Sequence, residues 1–124
     1  MSPVYARGLG SSPVLAVILE TADPERLYTG LSLAVSAAAA GEPVRVLLGF
    51  AALGSGLEPG THVIAAEREA FTHTLAELWA TARELCDVQA CAAAAQATGI
   101  GSDVEVISMP QFLREVGDAR LVVV

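Results

Sequence analysis

Val14-Leu15-Ala16-Val17-Ile18-Leu19-Glu20-Thr21-Ala22-Asp23-Pro24 decides the fold class. A strand with one wet face alternates apolar and polar side chains, whereas the run from Val14 to Leu19 has no polar position. That is the pattern of a strand covered on both faces, and so of a parallel sheet between helices. The run stops at Glu20-Thr21, where Asp23-Pro24 opens a helix with Asp as N-cap and Pro at the first helical position. Leu27, Leu31, Ala34, Val35 and Ala38 then recur at helical spacing, and Gly41 ends the helix. Val44-Arg45-Val46-Leu47-Leu48 reads as a second strand, so the segment is a strand-helix-strand unit with a right-handed crossover.

Downstream the pattern is less even. Gly54, Gly56, Pro59 and Gly60 mark residues 50–60 as a loop, and residues 61–70 show no periodicity, leaving open whether they fold over a site as a lid. Thr74-Leu75-Ala76-Glu77 has capping-box spacing. Phe71, Leu75, Leu78, Ala82 and Leu85 line one face of a helix that ends near Cys86. Asp87-Val88-Gln89-Ala90 reads as a third strand, although Gln89 interrupts it and the flanking helices could merge through it. The alanine run after Cys91 is helix, terminated by Gly99. Val104-Glu105-Val106-Ile107 is a strand, residues 110–116 a short helix and residues 121–124 a last strand. The expected architecture is α/β: a three-layer α/β/α sandwich with a mostly parallel sheet of about five strands. It occupies a single domain over residues 1–124, with residues 1–12 a loose N-terminal segment.

Composition narrows the function classes. Hydrophobic residues make up 53 % of the 124, but twenty-three of them are alanine, which packs closely and adds little burial per residue. Helices should therefore lie close to whatever they cover. Lysine is absent, and seven arginines against fourteen acids leave a net charge of −7, which repels nucleic acid and anionic membrane surfaces. Neither is expected as a partner. The most apolar helical stretch, residues 31–40, is far short of the ~20 residues of a membrane span. Residues 1–12 hold Arg7 and turn formers rather than the apolar core of a secretory signal. Two cysteines make no disulfide framework, and a reducing cytoplasm is the expected location.

Ligands of open α/β sheets gather at the carboxyl ends of the strands. Three segments converge there: Glu20-Thr21-Ala22-Asp23, Phe50-Ala51-Ala52-Leu53 and Cys91. Cys91 is the strong nucleophile among them, placed at a strand-to-helix junction where unpaired N–H groups favour negative charge. The bland alternative is a small apolar residue filling an alanine-rich core. Cys86 lies across the intervening strand, ~15 Å away if that strand is extended, beyond disulfide reach. A phosphatase loop needs Arg six positions after the cysteine, where Ala97 and Ala92 stand. A thioredoxin-like pair needs two intervening residues, not four, and a peroxidase-type site needs Thr where Val88 stands. His62 and His73 match no compact zinc spacing with the cysteines, so no metal is expected. Gly54-Ser55-Gly56 and Gly99-Ile100-Gly101 do not complete a phosphate-loop pattern, since Pro59 and Val104 occupy the needed glycine positions; no cofactor is expected.

The order of these motifs resembles the DsrE/DsrF-like family over nearly the whole chain. It runs from Leu15 to Leu19, through Glu20-Thr21-Ala22-Asp23, the alanine-rich helix, Val44 to Leu48 and Phe50-Ala51-Ala52-Leu53. Ala90-Cys91-Ala92 through Thr98-Gly99-Ile100 follows, then Val104-Glu105-Val106 and Gln111-Phe112-Leu113. The resemblance implies a three-layer domain assembled as a homo- or hetero-oligomer. It also implies a sulfur relay in which Cys91 carries sulfur as a persulfide between donor and acceptor proteins. Glu20, Thr21, Phe50 and Leu53 are the expected pocket residues around it. Some members of the wider family lack the cysteine and serve structurally, so a non-catalytic assembly subunit with a buried Cys91 is the alternative.

Overall fold

The computed structural model describes residues 13–55, 69–99 and 104–124, with the side chains of 54, 55 and 69–73 set aside. The expected loose segment 1–12, the possible lid, His62 and the second glycine of each glycine-rich turn lie outside the described residues. Five strands form one sheet in the order β4-β3-β2-β1-β5: β1 is Leu15–Leu19, β2 Val44–Leu48, β3 Asp87–Cys91, β4 Glu105–Ile107 and β5 Arg120–Val123. Every pairing is parallel. All residues of β1 and β2 are buried, as the unbroken apolar run of β1 requires of a central strand, with Arg45 the one charged residue among them.

Helix α1, Pro24–Ala39, begins where Asp23 accepts the Arg26 backbone N–H at 3.0 Å. It ends before Gly41, whose φ of +91° suits a residue without a Cβ. Leu27, Gly30, Leu31 and Ala34 form its buried stripe. A Cβ on Gly30 would run into Leu19 Cδ2, so the helix axis is set close to β1. Helix α3, Glu69–Leu85, packs beside α1 and buries Leu75, Trp79 and Ala82. Trp79 was not among the expected core positions, though it stands one turn after Leu75.

Two expected boundaries are corrected. Residues 50–55 are not loop but a helix, α2, Phe50–Ser55. Ala51, Ala52 and Leu53 are good helix formers, the Leu53 N–H donates to the Gly49 carbonyl at 3.0 Å to close the first turn, and Ala52 and Leu53 become buried. The glycines that follow masked this short apolar turn. The helix whose expected face begins at Phe71 opens at Glu69, so Thr74 lies inside it and the capping-box spacing of Thr74 and Glu77 does not mark its start.

Helix α4, Ala92–Thr98, follows β3 directly and stops at Gly99, φ +67°. It packs on α2, β3 and β4. Helix α5, Met109–Val116, is capped by Ser108, with Phe112 fully buried and Val116 nearly so. The Cys86 thiol lies 3.6 Å from the Ala34 carbonyl, placing α1 on one face of the sheet, and Glu115 reaches Arg45 from α5 on the other. Helices thus flank a five-stranded parallel sheet, the expected α/β/α sandwich.

Candidate functional site

Parallel register builds the site. Leu19 pairs with Leu48 and Leu48 with Ala90, so one residue further on Glu20, Gly49 and Cys91 stand in line across three strands. The Gly49 N–H donates to the Leu19 carbonyl at 2.8 Å, which holds this register beyond the end of β2, and Cys91 pairs with Ile107. Side chains alternate between faces, so Glu20 and Cys91 share the face of Ile18, Leu47 and Gln89.

Cys91 is the last residue of β3 and the N-cap of α4, in extended conformation (φ −65°, ψ 127°), and its side chain makes no capping hydrogen bond. It is 7 % exposed, so the thiol is buried rather than at the open rim expected of a freely reacting nucleophile. Of the expected wall residues, Leu53 is buried in α2 against this region, whereas Phe50 is half exposed. The Thr21 hydroxyl accepts the Asp23 N–H at 2.9 Å and so shapes the turn into α1 instead of facing the sulfur.

Gly49 is the member of the group that the residue pattern did not reveal. A Cβ there would fall on the Glu20 carboxyl group, so the absence of a side chain lets that carboxylate lie across the end of β2. The available signal was a glycine immediately after an apolar strand. Cys86 sits on the opposite face of the sheet, against α1, and both cysteines are free. Burial and the neighbouring Asp87 carboxylate push its thiol from 9.0 up to about 12. It is a core residue with its proton held, not a resolving partner for Cys91.

At the amino end of the Cys91 face lies a buried polar cluster. Arg45, 3 % exposed, places Nε 2.9 Å from Asp87 and donates from Nη1 to Gln89 at 2.9 Å and to Glu115 at 2.8 Å. Gln89 donates onward to Glu105 at 3.3 Å, and Gln111 to Glu115 at 2.7 Å. Gln89, which interrupts the apolar pattern of β3, is therefore a buried connector between Arg45 and β4. The cluster fixes α5 on the sheet; Arg45 and Asp87 stand two side-chain rows from Cys91, and Gln89 one row from it.

Among the described residues no three His, Cys, Asp or Glu side chains converge as metal ligands. No described helix is long and apolar enough to cross a membrane. No protein-family model matches the chain, and no curated protein matches its sequence.

Proposed function

We propose that the chain is a small sulfur carrier with sulfurtransferase-like activity, in which Cys91 accepts sulfur as a persulfide and passes it to an acceptor thiol. The observation that carries this reading is the position of Cys91 as the last residue of a central strand, opening a helix at the ligand-binding edge of a parallel sheet. The DsrE/DsrF-like order of motifs supports it. In the loading step the Cys91 thiolate attacks the outer sulfur of a donor persulfide; the donor S–S bond breaks and the donor leaves as a thiolate. In the second step an acceptor thiolate takes the outer sulfur and Cys91 is regenerated. Donor and acceptor proteins in the cytoplasm, and a homo-oligomer built on small alanine faces, complete the proposal. Light scattering should give a mass above that of one chain; a monomer at all concentrations removes the oligomer from it.

The 7 % exposure favours a second reading, a non-catalytic binding or assembly subunit in which Cys91 only fills space. Alkylation of the native protein separates the two. The carrier reading predicts pH-dependent labelling of Cys91 in the folded state, whereas protection until unfolding supports the subunit reading.

A further inference from the structure

Resting on the carrier reading, we infer that Glu20 selects sulfur donors by charge, so that Cys91 takes cationic and neutral persulfides in preference to anionic ones. Register puts Glu20, Gly49 and Cys91 in one row. The missing side chain of Gly49 admits the Glu20 carboxylate over the end of β2. Neighbouring strands lie ~4.8 Å apart, so that carboxylate occupies the strand end directly beside that of the thiol. The buried cation on this face, Arg45, starts two side-chain rows from Cys91, reaches Gln89 one row away, and is offset by the carboxylates of Asp87 and Glu115. Asp23, the next acid after Glu20, is engaged in capping α1. Among the described residues, the uncompensated formal charge set beside the strand end of the reacting sulfur is thus the negative one of Glu20. At a separation of roughly 5–10 Å and partial solvent screening, one such charge changes the ratio of cation to anion reaction rates by about tenfold at low salt.

The loading chemistry leaves the carboxylate unchanged. Cys91 thiolate and R–S–SH give Cys91–S–SH and R–S⁻, and the leaving thiolate keeps the bonding pair and takes a proton from water. Glu20 acts on the approach of R, not on bond making.

The test uses the full chain with Cys86→Ser as a single-thiol parent. Loading by cysteamine persulfide and by 2-mercaptoethanesulfonate persulfide is followed by intact mass. Labelling by trimethylammonioethyl and sulfonatoethyl methanethiosulfonates is followed in parallel, because it needs no sulfur-carrying activity. Glu20→Gln should lower the cation-to-anion rate ratio about tenfold with both reagent pairs, and Glu20→Lys should reverse the preference. Glu42→Gln, the same charge change at an exposed position near the amino end of the sheet, should leave the ratio as it is. Ratios equal in parent, Glu20→Gln and Glu20→Lys overturn the inference while persulfide loading leaves the carrier reading standing. Labelling that responds to Glu20 without any persulfide loading overturns the carrier reading, and the donor selection with it.

Discussion

Two thiols five positions apart in the chain have opposite surroundings. Cys86 faces α1, hydrogen-bonded to a carbonyl and pushed up to about 12, whereas Cys91 caps a helix at the other end of β3. With an unfolded value near 9 the folded state binds the Cys86 proton more tightly. Its contribution to stability is therefore complete below about pH 9 and is lost as pH rises toward 12. Denaturation followed from pH 8 to 11 should show stability falling in that window, with a flatter profile in Cys86→Ala. At pH 8 native Cys86 should react with iodoacetamide about a thousandfold more slowly than a free thiol, since its thiolate fraction is lower by about that factor. Rapid native labelling of Cys86 would contradict its placement.

At the scale of elements, the polar cluster under α5 dominates. A buried guanidinium that loses a carboxylate partner keeps its desolvation penalty, so Asp87→Ala should destabilise by about 3–5 kcal/mol. Replacing the apolar anchor of the same helix, Phe112→Ala, should cost about 3–5 kcal/mol through lost burial and the cavity left behind. Removing the α1 cap with Asp23→Ala should cost only about 1 kcal/mol. Chemical denaturation of the three variants gives the order directly. These elements also show what residue patterns can and cannot carry. β1, β2 and α1 were legible because an apolar run, an Asp-Pro start and a helical repeat all agree. β3 was ambiguous because Gln89 is polar yet buried, satisfied by Arg45 and Glu105, and those partners come from other strands. α2 was obscured because its helical turn is short and precedes glycines, and its burial against α4 is a tertiary contact with no local signature.

For the whole molecule, the sheet gathers its two chemistries at opposite ends. The ionic cluster lies at the amino end, and Glu20, Gly49 and Cys91 lie at the carboxyl end of the same face. The place of Cys91 at a strand-to-helix junction was legible because its spacing from the alanine helix is local. The approach of Glu20 over Gly49 was not, since it depends on register between strands far apart in sequence. With the sheet between the two thiols, oxidation should leave no internal Cys86–Cys91 bridge in the folded chain, and its electrophoretic mobility without reductant should be unchanged. The most direct test of the carrier account is intact mass after exposure to a persulfide donor. The account predicts one added sulfur on the wild type and on Cys86→Ser, and none on Cys91→Ser; sulfur retained by Cys91→Ser, or absent from all three, would contradict it.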